Sequence, residues 1–66
     1  MHSDHEFIIQ GTYDDGTIAE EDGAETRASA IDCARRMLNS LTFEGTQVRV
    51  MTRDGDFVFE RIRRQR

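Results

Sequence analysis

The sequence predicts an α+β fold of order β-β-α-β-β, one antiparallel sheet of four strands with a single helix packed on one face. Three observations predict it. Asp15-Gly16 lies between two short alternating apolar segments, and Asp54-Gly55 lies between two more. Between these two candidate hairpins runs a segment whose apolar residues recur at helical spacing. Asp-Gly flanked by alternating hydrophobics is a strong short-range hairpin signal, because type I′ turns need positive φ at both central residues.

With Asp15-Gly16 as a two-residue loop, Tyr13 is expected opposite Ile18 and Gly11 opposite Glu20. Side chains alternate faces along a strand. Phe7, Ile9, Tyr13 and Ile18 then share one face, and Ile8, Gln10, Thr12 and Ala19 the other.

A third pair, Asp22-Gly23, leaves the helix start open. Thr26 is one candidate N-cap. Ser29 is the other, and Ser29-x-x-Asp32 resembles a capping box with Asp in the usual Glu or Gln position. If Ser29 caps, Asp22-Gly23 becomes a turn and residues 25–28 form a short fifth strand. That arrangement sets Glu20 opposite Glu25, a like-charge contact that disfavours it. Ala30, Ile31, Ala34, Met37, Leu38 and Leu41 form the helical apolar stripe, with Asp32, Arg35, Arg36 and Asn39 opposite. Arg35 and Arg36 fall late in the helix, where positive charge suits the dipole.

In the last hairpin, a two-residue Asp54-Gly55 loop sets Val50 opposite Phe59, Val48 opposite Arg61, Arg49 opposite Glu60 and Met51 opposite Val58. Val48, Val50, Phe57 and Phe59 are the expected core face. Ile8, Met51, Val58 and Ile62 fall on the opposite face, for which the chain supplies no cover.

Residues 1–66 are one small domain, with frayed ends expected at 1–4 and 64–66. A chain this short buries only about 60% of its unfolded surface, so a staple or partner is usual. The one cysteine, Cys33, permits no intrachain disulfide and gives no reason to assume an oxidising compartment. No signal-peptide pattern and no apolar stretch near the ~20 residues of a membrane span are present. A soluble cytoplasmic protein with no membrane association is the expectation.

Charge is polarised along the chain. Residues 1–25 carry eight acidic side chains and no basic one. Residues 26–66 carry nine Arg, with no Lys, against five acidic side chains, and the net charge is −4. Such asymmetry bears on steering and partner choice. The run Glu20, Glu21, Asp22 and Glu25, with Asp14 and Asp15 at the turn, is a candidate partner-binding surface that presents carboxylates to a basic groove. Solvated loop residues are the plain alternative. Arg61, Arg63, Arg64 and Arg66 suggest phosphate binding instead. Against that stand the acidic pI of about 5.0 and the lack of an exposed aromatic platform.

Catalytic and metal chemistry have weak support. His2, Asp4 and His5 sit on a terminus without the rigid geometry a metal site needs. Asp54-Gly55-Asp56 is too short for a Ca²⁺ loop of the EF-hand type, which takes about twelve residues. Cys33, mid-helix with no His neighbour, reads as a partly buried structural cysteine, although Arg36 three residues on would favour a thiolate. One helix on one sheet leaves little room for a pocket. No enzyme activity and no cofactor are expected.

Two resemblances are carried by particular residues. Ala28-Ser29-Ala30-x-x-x-Ala34-Arg35 followed by Phe43-x-Gly45-Thr46-x-Val48-x-Val50 resembles a pattern in small phage anti-CRISPR proteins that bind type I Cascade complexes. The resemblance implies an antiparallel sheet with one helix, a CRISPR effector subunit as protein partner, action without catalysis and interference with target DNA recruitment. It also implies residence in the host-cell cytoplasm. Ala30-Ile31-x-x-Ala34-Arg35 with Val48-x-Val50-x-x-Arg53-Asp54-Gly55 is similar to bacterial YegP-like small domains. Those often pair two such units, which for this single unit implies a dimer. The leading expectation is therefore an acidic protein-binding inhibitor. A homo-oligomeric regulatory or structural domain and an Arg-driven nucleic-acid binder are the alternatives.

Overall fold

A computed structural model describes residues 5–63. It contains β1 (Phe7–Thr12), β2 (Ile18–Ala24), α1 (Arg27–Asn39), β3 (Gln47–Thr52) and β4 (Phe57–Ile62). The strands form one antiparallel sheet in the order β2-β1-β3-β4. The α+β architecture with four strands and one helix is as the sequence predicts. Among the described residues no helix is long and apolar enough to cross a membrane.

The helix begins where Thr26 supplies a cap. Its hydroxyl accepts the backbone N–H of Ser29 at 3.1 Å, satisfying one of the donors every helix start leaves orphaned. Ser29 is thus inside the helix. Asp22-Gly23 belongs to β2 and no fifth strand forms among the described residues. Asp32 and Arg36 pair at 3.1 Å across one turn, a contact worth only a few tenths of a kcal/mol at the surface. The helix stops one residue before Ser40, whose backbone is extended. Leu41, expected in the apolar stripe, therefore lies past the helix and is fully exposed.

The helix packs on β1, β3 and β2 and leaves β4 largely uncovered. Ala30, Ala34 and Met37 meet Ile9, Val48 and Val50 of the two central strands, with Phe43 closing one end. Ile9, Val48 and Val50 are fully buried, each contributing about 1.5–3 kcal/mol by transfer from water. The alanines matter through their size: they bring the helix close to the sheet.

Both hairpins are built the same way, and differently from the two-residue loops expected. Tyr13 N–H donates to Thr17 O, and Thr52 N–H to Asp56 O, so each loop holds three residues. Gly16 and Gly55 have φ of +90° and +97°, while among the described residues no non-glycine residue has positive φ. A type I turn followed by a left-handed glycine fits this pattern, and a type I′ turn does not. The third loop residue shifts the register by one. A β-bulge at Ala19 and another at Val58 shift it back, so Gly11 still faces Glu20 and Val50 still faces Phe59.

Only the residues between bulge and turn change face. Ala19 and Val58 pack against the core, while Ile18 and Phe57 are exposed. The expected positions of Ile18 with the core and Ala19 away from it are thus corrected. So are the core placement of Phe57 and the outward placement of Val58. Ile62 lies on the uncovered face as expected and is exposed.

Candidate binding surfaces

The topology makes β2 and β4 the two edges of the sheet. Two strands separate them, or about 14 Å at ordinary strand spacing. The charge polarity of the sequence thereby becomes a polarity across the sheet.

β2 carries Glu20, Glu21 and Asp22 and no basic residue. Residues directly opposite on paired strands share a face. Glu20 faces Gly11 and Asp22 faces Ile9, so both lean to the helix side; Glu21 faces Gln10 on the uncovered side. All three are exposed. The Gln10 side-chain amide donates to Glu21 at 2.9 Å. Among the described residues Glu20 has no hydrogen-bond or ion-pair partner. Glu25, just beyond the strand, pairs with His5. His2 and Asp4 of the terminal trio lie outside the described residues. Charged side chains on a sheet edge also discourage edge-to-edge aggregation, so an acidic β2 has a physical use even without a partner.

Asp14 and Asp15 do not join this surface. Asp15 accepts the Thr17 backbone N–H at 2.9 Å, closing the turn. That bond holds its carboxyl below the ordinary aspartate range. Asp14 accepts the Thr46 hydroxyl at 2.8 Å and ties the hairpin tip to the segment before β3.

Asp22 reaches the helix as well as solvent. The Cys33 thiol lies 3.6 Å from its carboxylate. Burial and then the Asp22 charge push the thiol pKa up, outweighing the opposing pull of Arg36. A raised pKa keeps Cys33 protonated and poorly nucleophilic near neutrality.

The arginines of the C-terminal run separate. Arg61 is exposed on β4 opposite Val48, and its guanidinium sits 5.5 Å from the centre of the Phe59 ring. Arg63 turns inward. Its guanidinium donates to Leu38 O at 3.2 Å, Ser40 O at 3.1 Å and Phe43 O at 3.0 Å, with Gly45 O at 3.5 Å. It also stacks on the Phe43 ring. Carbonyls at a helix C-terminus lack intrahelical partners and carry partial negative charge. Arg63 satisfies them, so its role within the fold is structural. Sequence reading takes it for part of a basic tail. The signal that could have found it is the helix end at residues 38–40, which needs donors. Arg64 lies outside the described residues.

A shallow cleft of about 170 Å³ opens between the end of α1 and β4, lined by Arg35, Leu38, Asn39, Val48, Phe59 and Arg61. It holds no carboxylate, thiol or imidazole. Among the described residues no group of three or more His, Cys, Asp or Glu side chains is placed to hold a metal ion.

No family model matches the chain, and neither a curated protein nor a solved structure matches it.

Proposed function

We propose that this protein is a non-enzymatic binding module whose acidic β2 edge engages a basic surface on a protein partner. The observation that carries the reading is the placement of Glu20, Glu21 and Asp22 on an edge strand with no basic residue among them. Glu25 extends the same acidic end. An edge strand offers unpaired backbone groups beside its side chains, so a partner gains both ladder bonds and charge complementarity. The resemblance of residues 28–50 to small phage anti-CRISPR proteins supplies a partner class, the RNA-bound subunits of a type I CRISPR effector. Carboxylates on β2 would occupy basic surface that otherwise receives target DNA.

Binding of purified type I effector complex, followed by biolayer interferometry at low salt, tests the reading. Glu20→Gln, Glu21→Gln, Asp22→Asn and Glu25→Gln together should weaken it by at least about tenfold, a change of 1.4 kcal/mol. Unchanged affinity with the fold intact would count against it.

A homodimer is the second reading, favoured by exposed Phe57 and Ile62 on the face away from the helix. A monomeric mass by light scattering at micromolar concentration would remove it. Direct nucleic-acid binding has less support, since the Arg63 guanidinium is already engaged by backbone carbonyls.

A further inference from the structure

The edge opposite the acidic strand has a chemistry of its own. We propose that β4 and the cleft beside α1 form a second binding site, for an extended acidic peptide segment that adds to the sheet as a fifth strand.

The backbone supplies the first part of the site. Arg63 N–H donates to Thr46 O at 2.7 Å. In an antiparallel ladder the bonding direction alternates from residue to residue. The N–H groups of Ile62 and Glu60 therefore point away from β3, along the free edge. Among the described residues no strand pairs with β4 on that side.

The side chains supply the second part. Phe59 and Arg61 face the helix side two residues apart, opposite Val50 and Val48. The end of α1 adds Arg35, Leu38 and Asn39 across the cleft. Among the described residues neither Arg35 nor Arg61 pairs with a carboxylate, and the contact of Arg61 is with the Phe59 ring. An added strand would place alternate side chains on this face, about 7 Å apart. One carboxylate would reach Arg61 and Arg35, and an apolar neighbour two residues along would lie on Phe59 and Leu38. The occupant is thus specified by three features together: an edge that wants backbone, two arginines that want a carboxylate, and an apolar floor between them. A nucleic-acid strand matches the charge and cannot form the ladder, and a free anion uses neither the ladder nor the floor.

The test uses a fluorescein-labelled peptide as long as β4, with Glu and Val taking turns on one face and Thr at every intervening position, and anisotropy titration against the full chain. Saturable binding is expected, at least about tenfold tighter than for the matching peptide with Lys in place of Glu. Arg35→Ala and Arg61→Ala should each weaken it several-fold, and the double variant more. Ile62→Pro removes an outward N–H without touching the ladder to β3, and should weaken binding while far-UV circular dichroism stays unchanged. Arg35 is exposed on the helix, so its variant keeps the test decisive if a strand variant fails to fold. Equal binding of the two peptides would overturn the proposal, as would affinity indifferent to Arg35 and Arg61. Competition by oligothymidylate or inorganic phosphate at the peptide's own concentration would overturn it in favour of a simple anion site. Self-association lost in Arg35→Ala would assign the cleft to the acidic β2 of a second copy and overturn it likewise.

Discussion

The guanidinium of Arg63 lies over the ring of Phe43, 5.3 Å from its centroid, and from there reaches the carbonyls at the end of α1. One side chain thereby joins β4, the α1–β3 connection and the helix terminus. The Phe43 ring also closely approaches Gly11 and Gly45, where a Cβ would overlap its Cε1 and Cζ atoms. In a chain with no disulfide, this cluster is the nearest thing to a staple.

Replacing Arg63 should therefore destabilise the fold more than replacing any exposed arginine. Arg63→Ala leaves several carbonyls unsatisfied and the Phe43 ring uncovered, a loss of about 2–3 kcal/mol given that charge-assisted bonds are the strong ones. For a domain of this size that lowers Tm by roughly 10 °C or more. Arg63→Lys should recover only part of it, because an ammonium cannot span the same carbonyls. Thermal and urea unfolding measure both, with Arg36→Ala as the exposed comparison. A Tm for Arg63→Ala equal to that of Arg36→Ala would contradict the clamp.

Gly11 permits the other half of the contact. Gly11→Ala pushes a methyl into Phe43 and toward the Met37 sulfur, and overpacking of this kind costs about 1–3 kcal/mol. Gly11→Ala combined with Phe43→Leu should lose less than the sum of the two single changes. Additive losses in urea midpoints would show that the two residues do not share a contact.

The hairpins show how much of the fold the sequence carries and where it stops. Asp15-Gly16 and Asp54-Gly55 mark both turns, and the alternation around them yields the pairings of Gly11 with Glu20 and Val50 with Phe59. Turn type is another matter. Asp-Gly serves a two-residue loop if Asp takes positive φ and a three-residue loop if only Gly does. In the first hairpin the Asp15 side chain accepts the Thr17 N–H and supports the three-residue form. The compensating bulges then restore the distant register, so the pattern of apolar residues alone could not reveal the swap at Ile18/Ala19 and Phe57/Val58. Leu41 follows the helical periodicity but lies past the helix end for a related reason: the apolar pattern continues although the helical backbone does not. The acidic surface was legible as a charge run. Its position on an edge strand depends on β1 and β3 pairing at the centre, a tertiary fact that no local pattern encodes. The separation of Arg63 from Arg61 depends on the same long-range packing.

The bulge at Val58 makes a direct prediction. Val58→Ser should cost about 1 kcal/mol or more, whereas Phe57→Ser should stay within about 0.5 kcal/mol, as surface substitutions usually do. Phe57 is the larger side chain, so the opposite ranking by urea unfolding would restore the two-residue loop.

Cys33 should respond to Asp22. Removing the carboxylate in Asp22→Asn takes away a charge that raises the thiol pKa. More thiolate is then present at a given pH, and alkylation by iodoacetamide at pH 8 should speed up. Its pH midpoint should move down. A rate and midpoint identical to the parent would place Asp22 away from the thiol in solution.

The β2 carboxylates are the proposed partner-binding edge. Its most direct test is the salt dependence of binding to a type I effector complex, measured for the parent chain and for the variant with Glu20, Glu21, Asp22 and Glu25 neutralised. Surface charge interactions are screened within about 8 Å at physiological salt. The parent should bind most tightly at low salt and weaken as salt rises, while the variant binds at least about tenfold more weakly at low salt with a flattened slope. Equal affinity and equal slope for the two chains, with the variant prone to aggregate, would instead assign the carboxylates to protecting the sheet edge and contradict a partner-binding role.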